Sequence, residues 1–207
     1  HAGRIALVAR GANRPRSAIR GQLLSFQPLE LSWSGKSEPR TMHKAEWRGG
    51  QPMLQGLALL CGFYMNELLL KLLPRDDPHE ILFDIYAQAL MDLSMKQDLP
   101  VVLRRFELGL LRELGYGLQL EHEATSELPI IAENFYGYIP DRGPIAQRTN
   151  GNQVQFHGKT LLDLQHEDFS DPQTLAESKQ LLRMQLKHHL GQQELQTRQL
   201  LRDLQEL

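Results

Sequence analysis

Hydrophobic positions along this chain of 207 residues change their period near residue 50, and the change divides the sequence in two. Ahead of it the apolar runs are short and read as strand. Ile5-Ala6-Leu7-Val8 is a compact tetrad, and residues 23–33 alternate in part, with Leu29, Leu31 and Trp33 on one side and Gly35 breaking the run. Residues 41–47 form a third run that ends at Gly49-Gly50. Three such strands cannot cover two sheet faces and two edges by themselves. The pattern therefore predicts a small barrel to which further strands belong.

Beyond Gly49-Gly50 the period is helical, and Pro52 suits a first helical position. Leu54, Leu57, Ala58, Cys61, Met65, Leu68, Leu69 and Leu72 make one wide apolar face. Asp77-Pro78 predicts the next start, with Asp77 as N-cap, and Ile81, Leu82, Ile85, Ala89 and Leu93 mark the helix that follows. A third opens at Asp98 or Leu99 before Pro100, turns Val102, Leu103, Phe106, Leu110 and Leu114 inward, and stops at Gly115. Residues 121–158 are punctuated by glycine and proline into short runs at 134–139 and 153–157, which predicts an irregular, β-containing insertion. Asp171-Pro172 begins a helix that Gly191 ends, and residues 197–207 predict a short last one. The fold class is thus α+β.

Charge sharpens this division. The net charge is −2, yet residues 1–48 carry nine Lys/Arg against three Asp/Glu, while residues 49–175 carry nine against eighteen. A polyanion would be drawn to the front of the chain and repelled by much of its middle. Arg4, Arg10, Arg14, Arg16 and Arg20 all fall within the first 29 residues, where no acidic residue occurs. Arg10, Arg14, Arg16 and Arg20 follow the first strand, in a segment punctuated by Gly11 and Pro15, and guanidinium forks match phosphate oxygens. With no repeated base-reading pattern beside them, the contact expected is independent of nucleotide sequence. A solvated arginine-rich turn is the plain alternative. Phe26, Trp33 and Trp47 could stack bases, although aromatics in a small barrel more often belong to its core.

Other chemistry is sparse. Cys61 is the single cysteine, which excludes an internal disulfide and a thiolate zinc site and fits a reducing cytoplasm. No apolar stretch reaches the length of a membrane span. His188 and His189 are adjacent, so on a helix they project about 100° apart and make a poor metal pair. Signatures of zinc hydrolases, serine hydrolases and phosphate-cradling loops are absent. No catalytic residue, cofactor or metal is expected, and an enzyme is disfavoured. The chain opens at His1 and enters a strand almost at once, from which further N-terminal sequence is expected.

The strings LVARGANRPRSAIRG, LLSFQPLELSWSGKSEPRT, LLCGFYMNELLLKLL, LRRFELGLLRELGYGL and SKQLLRMQLKHHLG, in that order, resemble the RecO family of bacterial DNA-repair and recombination mediators. The resemblance runs from the first residue into the last helices. It implies an N-terminal OB-fold over residues 1–50, here lacking its first strands, and a helical domain over 51–207 that contains the insertion around 121–158. Some members carry a four-cysteine zinc site in that insertion, whereas residues 121–158 have no cysteine and resemble the zinc-free branch. The resemblance further implies binding of single-stranded DNA, strand annealing, and partnership with RecR and with single-stranded-DNA-binding protein (SSB). With RecR it would load RecA, in the bacterial cytoplasm at the nucleoid.

Family members dock the acidic SSB tail, which ends in an aromatic residue and proline, on the helical domain. An apolar slot rimmed by arginine suits such a tail. Arg104 and Arg105 on the third helix, and Lys179, Arg183 and Lys187 at i, i+4, i+8 on a later one, are the candidates, with Arg104 and Arg183 the favoured pair. Ordinary exposed helix faces are the plain alternative. A helical interaction adaptor that binds no DNA is the rival reading of the whole chain.

Overall fold

The computed structural model describes residues 3–50, 53–146, 154–197 and 199, which fall into two compact units. One runs up to Gln97 and includes the segment from Leu195, and the other is Asp98–Glu194. No helix among the described residues is long and apolar enough to cross a membrane.

The first unit begins with β1 (Leu7–Val8), a short helix α1 (Ala18–Gln22), β2 (Leu29–Ser34) and β3 (Arg40–Trp47). The long strand β3 is central. It runs parallel to β1 through Leu7↔Arg40 and Val8↔Thr41, and antiparallel to β2 from Leu29↔Trp47 to Ser34↔Thr41. Among the described residues this sheet is open and closes no barrel. The apolar tetrad yields only two paired residues, because the Ala6 amide donates to the Glu38 carboxylate at 2.6 Å and Arg4 bridges to Arg75. Leu29, Leu31 and Trp33, alternate positions on β2, line a cavity of about 910 Å³ with Leu69, Leu73 and Phe83.

The helices of this unit are α2 (Gly56–Leu72) and α3 (Glu80–Ser94), packed on each other. Pro52, expected at the start of the first, lies outside the described residues. Cys61, Met65 and Leu68 are buried as their spacing predicts, whereas Leu57 and Ile81, both near helix starts, are exposed. The second helix starts later than Asp77-Pro78 predicts: its N-cap is His79, with no side-chain cap bond. The cause is tertiary. The Asp76 amide donates to the Arg4 carbonyl at 3.0 Å, and Gly3 passes so close to the Asp77 backbone that a Cβ on it would lie 2.3 Å from the Asp77 carbonyl oxygen. Residues 75–77 are held by the N-terminal segment and are not available as a cap. From α2, Glu67 accepts the amides of Gln196 and Thr197 at 2.8 and 2.9 Å and the Thr197 hydroxyl at 2.7 Å. Burial pushes this carboxyl up, but the Thr197 and Gln196 donors outweigh it and leave it below its ordinary value. The last helix expected from the sequence begins here, and apart from Thr197 and Gln199 it lies outside the described residues.

The second unit opens with α4 (Leu99–Glu113), as the sequence predicts. The Asp98 side chain accepts from the Val101 amide, Pro100 lies in the first turn, and Gly115 adopts φ 83° just past the end. Phe106, Leu110 and Leu111 are fully buried. The insertion is β-containing, as expected: β4 (Phe135–Ile139) pairs antiparallel with β5 (Gly143–Ala146) and β6 (Gln155–His157), in the order β5-β4-β6. Gln153, at the head of one expected run, lies outside the described residues. Helices α5 (Gly158–Gln165) and α6 (Pro172–Leu190) complete the unit, and α6 packs against both α4 and α5. Asp171 caps α6 through the Gln173 amide at 2.9 Å, and Gly191 at φ 60° ends it, both as predicted.

The sequence pattern did not predict α5. Its first amides are satisfied from outside the helix, Gly158 by the Asn134 carbonyl at 2.7 Å and Lys159 by the Ala132 carbonyl at 2.9 Å. The approach is so close that a Cβ on Gly158 would stand 2.0 Å from the Ile131 carbonyl oxygen. Gly158→Ala is therefore expected to destabilise this unit by about 1–3 kcal/mol, although alanine is the better helix former. Thermal denaturation beside Gly117→Ala, where the nearest atom would be 3.8 Å away, is the check. Equal melting temperatures for the two variants would refute the close approach.

Candidate nucleic-acid interface

The chain leaves β1 at Val8 and runs through successive turns: the Ala12 amide reaches the Ala9 carbonyl, Arg14 reaches Gly11, Ser17 reaches Arg14 and Arg20 reaches Ser17, at 3.0–3.3 Å. Gly11 takes φ 75°, a conformation glycine adopts without strain. The turns pass into α1, which carries Arg20 in its last turn. A backbone hydrogen-bonded to itself at every few residues gives the segment a shape while leaving its side chains to solvent.

Arg10, Arg14, Arg16 and Arg20 are all exposed. Among the described residues, none of the four is paired with a carboxylate. The other described arginines of this unit are held. Arg40 pairs with Asp76 at 2.6 Å, Arg75 with Glu38 at 2.6 Å, Arg48 with Glu30, and Arg4 donates to the Leu73 carbonyl at 2.9 Å. The Ala6 amide, ahead of the Arg75 guanidinium, holds the Glu38 carboxyl below its ordinary value, so it stays charged and engaged at β1. What remains beyond β1 is a run of guanidinium groups with no internal counter-charge, the arrangement that attracts phosphates.

The aromatic candidates separate. Phe26 is half-buried, with its ring against Gly62 of α2 and edge-on to Phe63 at 5.1 Å, so it packs the helix. Trp33 lines the cavity, and Trp47 is 58% exposed with its indole N–H donating to Gln27 at 2.9 Å. Of the three, Trp47 offers the most open ring.

The helical candidates also separate. Arg104, expected at the rim of a slot, is only 7% exposed. Its Nη2 donates to Glu107 Oε1 at 2.8 Å, and Nε lies 2.7 Å from the other carboxylate oxygen without the alignment of a second hydrogen bond. The reason is that α4 is buried almost all round from Val102 to Leu111, so its one inward arginine needs an inward carboxylate. Arg105 next to it is exposed, as are Lys179, Arg183 and Lys187 on α6. The two histidines depart from the divergence that their spacing predicts. Both Nε2 atoms face Asp141, a residue in the β4–β5 hairpin that the sequence pattern gave no reason to single out.

A family model described as Recombination protein O C terminal matches residues 53–199. Among curated proteins, one named DNA repair protein RecO from Nitrosospira multiformis is 54% identical over 210 residues, covering 100% of this chain and 86% of the relative. Proteins of the same name from Azoarcus sp. and Aromatoleum aromaticum are 52% and 51% identical over 209 and 206 residues, each covering 99% of this chain and 86% of the relative.

Proposed function

The chain belongs to the RecO family of DNA repair proteins, and from that premise we propose that it is a non-enzymatic recombination mediator that holds single-stranded DNA through Arg10, Arg14, Arg16 and Arg20. The observation that carries this reading is the pairing contrast in the first unit. Its other described arginines have protein partners, and these four, in a segment free of acidic residues, have no carboxylate partner among the described residues. Phosphate contacts of this kind fix position without reading bases, so complementary strands of any sequence could be held and annealed. In this proposal residues 1–50 are the OB-fold part, with the open sheet as a portion of a barrel, and residues 51–207 are the helical domain with its insertion around 121–158.

The proposed second contact is with the acidic tail of SSB. Arg105, Lys179 and Arg183 are exposed and suit its carboxylates, whereas Arg104 could join only by releasing Glu107. Holding DNA and an SSB-coated strand on one molecule raises the effective concentration of one strand near the other. With RecR, the same bridging would help RecA displace SSB, in the bacterial cytoplasm at the nucleoid.

Fluorescence anisotropy of a labelled single-stranded oligonucleotide, titrated with this chain across a salt series, tests the DNA contact. Four phosphate contacts predict a slope of log affinity against log salt of about −3, at about −0.7 for each contact, and the same slope for oligonucleotides of different sequence. Binding that is absent even at low salt would overturn the DNA contact and favour the rival reading, a helical interaction adaptor.

A further inference from the structure

We propose that Asp141, His188 and His189 form a binding site for a late first-row divalent cation of the zinc class, clamping the tip of the β4–β5 hairpin to the C-terminal end of α6. One ligand atom from each residue lies within 4.8 Å of the other two. Asp141 stands between the rings, with one oxygen 2.7 Å from His188 Nε2 and the other 3.6 Å from His189 Nε2. Adjacent residues on a helix diverge, but here the carboxylate arrives from a distant hairpin and both rings turn toward it, 5.1 Å apart and 79° to each other.

The second, independent observation is His189 itself. Its side chain is only 9% exposed, and its Nε2 is buried without a hydrogen-bond partner among the described residues. The 3.6 Å to Asp141 is too long for a hydrogen bond. Buried polar atoms are nearly always satisfied, and one that is not asks for an explanation. Tyr116 stacks on this ring at 3.9 Å and 15°, so the imidazole is held in place by packing and aimed at Asp141.

The donor set selects the class of ion. Two imidazole nitrogens and one carboxylate oxygen, with no thiolate, suit zinc, nickel or copper far better than magnesium or calcium, which prefer oxygen alone. Zinc would take the three at about 2.0–2.2 Å and a solvent molecule at the fourth position. Tetrahedral ligand atoms stand about 3.3 Å apart, so His188 Nε2 and its Asp141 oxygen, 2.7 Å apart, would give up their direct contact while the wider separations, up to 4.8 Å, close. Asp141 and His188 can do so, since their side chains are 56% and 47% exposed, while His189 stays fixed. The end of a 19-residue helix adds its own preference for positive charge.

Isothermal titration of zinc chloride into the full chain, stripped with chelator and exchanged into chelator-free buffer, tests the site, with visible absorption of the cobalt form as the second readout. One equivalent bound and the intense bands of four-coordinate cobalt are expected. Asp141→Asn and His188→Gln alter exposed side chains and so preserve the fold, checked by circular dichroism, and each is expected to weaken zinc at least about tenfold, since even changes behind a ligand cost that much. The inference is overturned if no stoichiometric uptake occurs, or if both variants bind zinc as tightly as the parent chain. It stands apart from the DNA reading, and neither result bears on the other.

Discussion

Replacing Arg104 by alanine is expected to destabilise the second unit by about 3–5 kcal/mol, the cost of breaking a buried ion pair from one side. Glu107, 2% exposed, would lose the guanidinium that faces it in the interior. That loss is a large share of the 5–15 kcal/mol that holds a typical domain together. Arg105→Ala, one residue along and exposed, should stay within about 0.5 kcal/mol of the parent. Denaturant midpoints of the two variants measure the contrast directly. Replacing Arg104 and Glu107 together by methionine and leucine should recover much of the loss, because an apolar pair of similar volume leaves no unpaired charge. An Arg104→Ala midpoint indistinguishable from that of Arg105→Ala would mean the pair contributes nothing. For partner studies the consequence is practical. A defect in SSB-tail binding caused by Arg104 would report on folding, so Arg105, Lys179 and Arg183 are the residues to substitute.

Local signals served where the chain could obey them locally. Helices α4 and α6 each begin with aspartate and proline and end with glycine, and their caps form as read. The same aspartate–proline signal at Asp77-Pro78 failed because Arg4 and Gly3 hold the preceding turn. α5 was invisible for the converse reason: it starts at a glycine with no capping side chain, and carbonyls from residues 132 and 134 supply what a cap would. The site divides in the same way. The arginines beyond β1 were legible because unbalanced charge in sequence became unbalanced charge in space. Arg104 and Arg105 look alike in sequence, and only the Glu107 three residues on separates them, an i, i+3 partner on a face otherwise lined by Val102, Phe106 and Leu110. That spacing was available as a signal of burial. The Asp141 contact was not, since no periodicity links a hairpin tip to a helical histidine 47 residues later.

Converting Arg10, Arg14, Arg16 and Arg20 together to glutamate is expected to lower affinity for single-stranded DNA at least about a hundredfold in low salt. Each exposed ionic contact is worth a few tenths to about 1 kcal/mol. Reversal adds repulsion to the lost attraction, so four together exceed the roughly 2.7 kcal/mol that a hundredfold represents. The fold should be spared, since all four side chains point to solvent and the turn hydrogen bonds are backbone to backbone. The salt dependence discriminates better than the affinity. Every single reversal should flatten the slope by about 0.7, whichever oligonucleotide is used, because what is lost is a phosphate contact and the counterion it released. Substitution by lysine should keep the slope while weakening binding modestly, since the charge remains and the bidentate fork does not. A quadruple variant that binds with the parent's slope would remove this segment from the interface and leave the exposed stripe of Lys179, Arg183 and Lys187 as the cationic surface to test for the strand.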